Sequence, residues 1–532
     1  MTTTAPARPG ARPGGRRPSR DSAALAALAG VLAAALTLGV AEVVAAVVAP
    51  TSAPVLAVGD AFVDLTPAWL KDAAIATFGT ADKTALLVGT GLVLTALAAL
   101  AGVLGRRRRV LGDVVVIALG VVGAVAAATR PDAVSLSPVP SLLGAVAGLL
   151  ALHLLLDRLP ARGTARRPAE EDGASRRGFL VAAGVTGALA AASFAGGRAL
   201  GAASRGVASV RSALRLPAPA VAAPPVPGGV DVGVDGVEPW QTPNADFYRI
   251  DTALTVPRVD PSTWTLRVHG MVEEEVEIDF AELLGAELVE SWITLTCVSN
   301  EVGGNLISNA RWLGLPVREL LARARPTAGA DMVLSTSVDG WTASTPLEAL
   351  VDDDVDALLA VAMNGEPLPT EHGFPVRMVV PGLYGFVSAT KWVVDLEVTR
   401  FAAQTAYWTD RGWSERGPVK TESRIEVPGP LSRQPAGQAV AAGTAWAQGR
   451  GVARVELRLD AGPWQEAELA AVYDDKTWVQ WRFPYELPEG SHVLEVRATD
   501  ETGATQPEER VPPAPDGATG WHSVTVTGTS GS

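Results

Sequence analysis

Residues 292–300 read Trp292-Ile293-Thr294-Leu295-Thr296-Cys297-Val298-Ser299-Asn300. The apolar and β-branched run predicts a strand that opens into a polar loop. Ser299, Asn300, Gly303, Gly304 and Asn305 follow, and such small and polar residues let a backbone approach a bulky group. Cys297 is the only cysteine in 532 residues. It has no partner for an intramolecular disulfide, so its thiol is idle, reactive or a ligand.

The chain around this stretch has two compositions. Residues 1–230 carry 22 Lys/Arg against 12 Asp/Glu, a net of +10. Residues 231–532 carry 22 against 45, a net of −23, and hold 13 of the 14 tryptophans. A membrane region is therefore joined to an acidic globular region large enough for its own core. The acidic balance argues against nucleic acid as a partner.

Five apolar runs, at 22–48, 84–104, 110–128, 141–156 and 178–200, reach or approach the length of about 20 residues that a spanning helix needs. Arginines sort between their connections. Arg8, Arg12, Arg16, Arg17 and Arg20 precede the first run, Arg106 to Arg109 follow the second, and Arg158, Arg162, Arg166, Arg167, Arg176 and Arg177 stand between the fourth and fifth. The opposite connections hold only Lys71, Lys83 and Arg130. This asymmetry predicts a multi-pass protein of the cell membrane, in contact with lipid, with a cytoplasmic N-terminus and everything after the fifth helix outside. The basic tail is 1–21 and the membrane region 22–200. His153 is the only histidine of the membrane region, so a haem held by two histidines of that region is excluded and no haem is expected in this chain. Glu42 inside the first run is a functional candidate, although it lies near the outer end, within reach of interfacial water.

Residues 201–234 are Pro/Ala-rich and read as a semi-extended linker. Beyond them the chain alternates short strand patterns, such as 265–270, with helical ones at 279–284, 317–324 and 347–350. Regular βαβ spacing is absent, so an α+β domain is expected over 235–403. An interdomain segment follows at 404–425. From 426 to 528 the pattern is all β, with alternating strands at 455–460 and 494–498, and fits an immunoglobulin-like sandwich.

A second unusual stretch carries Asn364-Gly365-Glu366-Pro367-Leu368, then His372, Arg377, Pro381 and Lys391-Trp392. With the lone Cys297, this ordered set resembles the sulfite-oxidase family of molybdopterin enzymes. Gly443-Thr444-Ala445-Trp446-Ala447, Arg454-Val455-Glu456 and Arg497-Ala498-Thr499-Asp500 resemble that family's C-terminal dimerisation domain. The resemblance covers about 235–528 and leaves out the membrane helices. It implies a Mo-molybdopterin cofactor whose molybdenum is bound by the Cys297 thiolate, a soft ligand suited to a heavy transition metal. It further implies that Asn244, Tyr248, His372, Arg377 and Lys391, with the backbone of Ser388, Ala389 and Thr390, hold the pterin and its phosphate. Tyr248 can equally be core. Another cofactor contact is expected within 335–337, and a homodimer through the C-terminal domain is implied.

The sequence departs from animal and plant sulfite oxidases after the cysteine. Where they carry a Gly-Asn-Arg-Arg type element, Gly304-Asn305 is followed here by Leu306-Ile307. Arg311, Arg411 and Arg416 are the candidates to replace that positive charge. Tyr407-Trp408-Thr409-Asp410-Arg411-Gly412-Trp413 reads as a substrate wall or as an aromatic clamp between domains. Ser175-Arg176-Arg177-Gly178-Phe179-Leu180 is either a twin-arginine export signal, suited to a protein folded around its cofactor before export, or a plain positive flank. The expectation is a membrane-anchored, extracytoplasmic oxidoreductase that transfers oxygen atoms to or from a small sulfur-containing molecule. Methionine sulfoxide reduction with the same cofactor is the alternative, and a cofactor-free surface binding protein the second. Its electron partner would be another protein or a quinone.

Overall fold

The computed structural model describes residues 20–530 except 68–69, 71–76, 78–81, 131–132, 160–168 and 204–205. Arg8, Arg12, Arg16, Arg17, Lys71, Arg162, Arg166 and Arg167 of the topology argument lie outside the described residues, as do the side chains of Arg20, Lys83 and Arg176. The chain forms two units, Met1–Ser204 and Arg205–Ser532.

The first unit is helical: α1 (Arg20–Val48), α2 (Pro54–Leu65), α3 (Asp82–Arg107), α4 (Arg109–Ala128), α5 (Val139–Asp157) and α6 (Ala169–Ala203). Among the described residues five stretches, Ser22–Val48, Thr84–Arg107, Arg109–Ala128, Val139–Asp157 and Arg177–Leu200, are long and apolar enough to cross a membrane. The fourth, expected to be the shortest, is extended at both ends and reaches 19 residues. Helix α2 is an addition that the sequence reading did not name. Helix α1 packs against α3, α5 and α6, and small residues at the contacts allow close backbone approach. At the α1–α3 crossing a Cβ on Gly102 would lie 1.9 Å from the Ala26 carbonyl oxygen, and one on Gly30 would lie 1.9 Å from that of Ala98. Polar contacts tie the helices further. His153 Nε2 meets Asp113 Oδ1 at 2.7 Å, and Arg109 pairs with Asp157 and Arg130 with Asp60.

The second unit opens on α7 (Gly206–Ala213). The expected linker is not free of the folded part. Arg211 Nε donates to the Leu368 carbonyl at 2.7 Å, Ala220 N–H to Leu288 O at 2.7 Å and Glu290 N–H to Val221 O at 2.8 Å. The prolines keep this segment extended, and an extended chain with unmet carbonyls can pair with a strand edge.

The α+β part has two five-stranded sheets. The first runs β2 (Val276–Asp279), β1 (Thr265–Gly270), β10 (Val393–Thr399), β5 (Met332–Ser337), β6 (Thr342–Pro346). The second runs β3 (Val289–Thr296), β4 (Ile307–Pro316), β7 (Leu358–Met363), β8 (Glu366–Pro367), with β9 (Arg377–Val379) on β7. Only β1–β10 pairs in parallel among these strands. Helices α8 (Phe280–Gly285) and α9 (Val317–Ala324) share the core between the sheets with Leu266, Leu315, Leu359 and Val393. Asp279 caps α8, accepting from Glu282 N–H at 2.8 Å. The helix expected at 347–350 is α10 (Leu347–Val351).

The C-terminal part is all β, as two sheets around one core. One is β11 (Glu422–Val427), β13 (Gly437–Trp446), β17 (Val479–Leu487), β16 (Glu468–Leu469); the other is β12 (Ser432–Pro435), β19 (His522–Thr529), β18 (Gly490–Asp500), β14 (Val452–Leu459), β15 (Gln465–Glu466). Its first strand begins at Glu422, inside the expected interdomain segment.

The crossing at Gly102 gives a direct test of helix packing. Gly102→Ala should cost about 1–3 kcal/mol of helical-unit stability from overpacking, read by circular dichroism in mixed micelles. Gly89→Ala, on the same helix where the added methyl meets nothing within 4 Å beyond its own helix turn among the described residues, should cost nothing.

Candidate active site

Cys297 follows the last residue of β3, where the strand gives way to a loop that closes on itself. The Cys297 N–H donates to the Leu306 carbonyl at 2.9 Å and its own carbonyl accepts from Asn300 N–H at 3.0 Å. Asn300 Oδ1 in turn accepts from Leu306 N–H at 2.8 Å. Gly303 makes the turn at φ +79°, and a Cβ there would meet the His522 ring at 2.3 Å. Only glycine meets both demands. The C-terminal part braces the loop: Arg424 donates to the Gly304 carbonyl at 2.9 Å, and Gln448 Nε2 to Thr294 O and Thr296 Oγ1, both at 3.2 Å.

The thiol opens into a cavity of about 130 Å³. Tyr248, Cys297, His372, Arg377, Ala389 and Lys391 all line it, so the fold brings together six of the residues singled out from sequence. Burial pushes the Cys297 thiol up, while the Ser299 N–H and hydroxyl and the Lys391 ammonium pull it down. These groups favour thiolate once a cation takes the place of water.

Arg377 begins β9 and is buried. Its guanidinium donates to three carbonyls, Met378 at 3.3 Å, His372 at 3.2 Å and Ala389 at 3.4 Å, and lies 5.2 Å from the Trp312 ring centroid. Among the described residues no carboxylate pairs with it. Burial lowers its pKa to about 10. Lys391 is pushed down to about 8, chiefly by burial, against the pull of Asp251, whose Oδ2 it meets at 2.8 Å. His372, in a 3₁₀ turn beside them, is held neutral, at about 3, by burial and then by Arg377 and Lys391. Burial also pushes the Tyr248 phenol up.

The other expected residues sit outside the cavity lining. Asn244 Oδ1 accepts from Asn364 Nδ2 at 2.8 Å. Ser388 Oγ donates to the Tyr384 carbonyl at 3.0 Å, and Thr390 Oγ1 meets Ser335 Oγ at 2.7 Å; both are buried supports of the Ala389 backbone. Of 335–337, Ser337 lines the cavity and its buried hydroxyl has no hydrogen-bond partner. The candidate substrate arginines point elsewhere. Arg311 lies 6.0 Å from the Trp292 centroid and 3.6 Å from Glu290. Arg411 stacks on Tyr407 at 3.5 Å, and Arg416 on Phe401 at 4.5 Å. Tyr407 itself does not line the cavity, but Trp408 and Trp413 of the same segment do.

Arg249, Asp251, Asp339, Trp341 and Phe386 also line the cavity and were not singled out from sequence. Asp251, three residues beyond Tyr248 in one extended stretch, had a signal: a carboxylate amid apolar residues calls for a cation, which Lys391 and Arg249 provide.

These residues fit a molybdopterin. A buried cation with only carbonyl acceptors is costly unless an anion joins it, and Ser337 offers an unmet donor. Cys297 adds one soft ligand to the same cavity. Comparison with known proteins agrees. The model of the oxidoreductase molybdopterin binding domain matches residues 253–408, and that of the Mo-co oxidoreductase dimerisation domain matches 422–528. An uncharacterized oxidoreductase, YuiH, of Bacillus subtilis is 31% identical over 181 residues, covering 34% of this chain and 87% of the relative. Mitochondrial sulfite oxidase of Rattus norvegicus is 30% identical over 323 residues, covering 52% of this chain and 59% of the relative.

The chain belongs to the sulfite-oxidase family of molybdopterin oxidoreductases. It is an enzyme, and its cofactor is Mo-molybdopterin; the cofactor-free alternative is set aside. The match to the rat enzyme spans less than two thirds of that protein's length. Nitrate reductase of Hordeum vulgare is 28% identical over 48% of this chain and 36% of the relative. Among solved structures, the sulfane dehydrogenase SoxCD of Paracoccus pantotrophus is similar, with 26% identity, 52% of this chain and 76% of that chain covered, and a TM-score of 0.47.

One buried histidine, one half-buried histidine and one buried carboxyl predict opposing pH effects. His372 and His522, depressed to about 3 and about 4 chiefly by burial, refuse a proton that the unfolded chain takes up below about pH 6.5. Each contributes stability that is lost as pH falls below that value, by about 1.4 kcal/mol per unit. Glu422, raised to about 8 by burial, stays protonated where the unfolded chain ionises, and its contribution is lost as pH rises from about 4.5 to about 8. Between pH 6.5 and 5, denaturation followed by tryptophan fluorescence should show a net acid loss. Glu422→Gln should steepen it and His522→Gln should flatten it.

Proposed function

We propose that this enzyme transfers oxygen atoms to or from a small sulfur-containing molecule at the Cys297 cavity. The observation that carries the reading is Arg377, a buried cation without a carboxylate partner among the described residues, beside Cys297 in one cavity. When bound, the molybdenum centre supplies two-electron oxygen-atom transfer. Cys297 holds the metal, and the donors of Ser299 keep its sulfur anionic. Arg377, Lys391 and Ser337 bind the anionic and polar edges of the pterin. Neutral His372 adds no charge, and Ser388, Thr390 and Asn244 fix the backbone that lines the cavity. Tyr248 and the tryptophans exclude water from the reacting sulfur.

Sulfite itself is disfavoured. Leu306 and Ile307 replace the family's arginine pair, and Arg311, Arg411 and Arg416 are engaged outside the lining. A dianion needs fixed positive charge nearby, because desolvating it without a partner is costly. Reduction of a neutral sulfoxide such as oxidised methionine is the second reading, favoured by the aromatic wall of Trp341, Trp408, Trp413 and Phe386.

In the same proposal the first unit anchors the enzyme in the cell membrane through five spans, with the N-terminus cytoplasmic and residues 235–528 outside. Arg176 and Arg177 act as a twin-arginine export signal. The C-terminal part, 426–528, is read as an immunoglobulin-like domain through which two copies dimerise. Electrons pass to or from a separate protein or a quinone.

Cys297→Ser should abolish turnover and shift the molybdenum spectroscopic signature even where pterin is retained; wild-type activity in Cys297→Ala would remove Cys297 as the ligand. Assays with sulfite and with sulfoxide should then separate the two directions. Sulfite is expected to turn over poorly, with a KM that rises as salt is lowered and screening of the acidic unit weakens. Efficient turnover at micromolar sulfite would overturn the charge argument.

Topology has its own test. A reporter active only outside the membrane should be on when fused after Gly236 and off when fused after Arg109. Changing Arg176 and Arg177 to Lys should impair export, and unimpaired export would leave them as flanking charge.

A further inference from the structure

Beyond the residues assigned to the cofactor above, the cavity lining carries an aromatic wall. Trp341, Trp408, Trp413 and Phe386 line it together with Asp339. The three tryptophans are only half-buried. Trp413 lies 6.0 Å from Phe386 and 6.1 Å from Trp408, the latter pair at 72°. Hydrogen bonds set the wall in place. Tyr407 N–H donates to Thr342 Oγ1 at 2.9 Å, which brings Trp408 beside the strand that follows Trp341. Ser344 Oγ donates to the Glu415 carbonyl at 3.2 Å, which pins the same segment two residues further along β6. Asp339 is fixed in the β5–β6 turn, where its Oδ1 accepts from Trp341 N–H at 3.3 Å.

The lining carries Arg249, Arg377 and Lys391 against Asp251 and Asp339. Arg411 and Arg416 of the same segment stack on Tyr407 and Phe401 and do not line the cavity. Arg249 pairs with Asp251 at 2.8 Å, and Lys391 meets the same carboxylate. On the reading above, Arg377 and Lys391 also serve the anionic cofactor. Asp339 then remains, a carboxylate in the same lining as several aromatic rings. Ring faces carry negative quadrupole potential, and with a carboxylate they suit a large, weakly hydrated cation rather than an anion. The unit as a whole adds to this. With a net charge of −23 over residues 231–532, its field draws cations in and holds anions off.

We propose that this wall is a subsite for an alkylated cationic head, such as a trimethylammonium or dimethylsulfonium group, on the substrate that reaches the Cys297 cavity. The subsite rests on the assignment of that cavity as the site of turnover. Asp339 supplies the charge, Trp341, Trp408 and Trp413 supply the faces, and specificity follows from the rejection of small dianions.

Choline and its neutral isostere 3,3-dimethylbutan-1-ol separate charge from shape. Ligand-observed NMR on the purified full-length holoenzyme should show choline bound about tenfold or more tighter than the alcohol, the factor expected for a partly desolvated cation on aromatic faces. Asp339→Asn keeps the hydrogen bond to Trp341 N–H and should remove most of that preference, leaving the alcohol unaffected. Trp341→Leu should weaken both ligands, choline more. Equal affinity for the two ligands, or an Asp339→Asn enzyme that holds choline as tightly as the parent, overturns the subsite. Neither result bears on Cys297, whose role is read separately from the molybdenum spectrum of its Ser variant.

Discussion

A buried guanidinium whose hydrogen bonds, among the described residues, go to three carbonyl oxygens sets the terms for the rest of this enzyme's active region. Arg377 sits beside Lys391, and burial weakens the hold of both on their protons. A fold keeps such charges in a cavity only where the rest of the structure leaves no cheaper arrangement. Here the supports are many: the Ala389 carbonyl, the Ser388 and Thr390 hydroxyls beneath it, and the Trp312 ring. The cavity is thus organised for an anion before any anion is considered, and a thiol stands on its wall. The pairing of Lys391 with Asp251 belongs to the same economy of charge. One carboxylate serves Lys391 and Arg249, and Arg377 has none among the described residues.

The cysteine loop depends on both parts of the second unit. Strands β3 and β4 carry its two ends, and the Cys297–Leu306 and Asn300–Leu306 hydrogen bonds close it. Arg424, Gln448 and His522 from the C-terminal part press on it from outside, at a point where Gly303 leaves no room for a side chain. Trp240 and Trp478 cross-link the parts again, each indole donating to the other's carbonyl, at 3.2 and 2.9 Å. The C-terminal part is therefore a wall of the Cys297 loop.

The helical unit is built on a different balance. Its apolar stretches are long enough to cross a membrane, and contact between them is gained by shape. Gly30 and Gly102 let two backbones touch, and the His153–Asp113 and Arg109–Asp157 pairs satisfy polar groups between α4 and α5. Such pairs tie adjacent helices without a large apolar core.

The sequence by itself determined what is written in local periodicity and in motif order. The apolar runs, the alternating strands of the C-terminal part, the helices at 280–285 and 317–324, and the company of Cys297, His372, Arg377 and Lys391 were all legible there. Each depends on neighbours a few residues away, or on a spaced set that only one chemistry uses. Tertiary structure decided the rest. It turned Arg311, Arg411 and Arg416 onto aromatic and acidic partners outside the cavity. It brought in Asp251, Asp339, Trp341 and Phe386, and bound the proline-rich segment 214–230 to the β3 edge. The reason is physical. A side chain's direction in a turn, and the partner that claims its charge, are set by elements distant in sequence, and no local pattern records them.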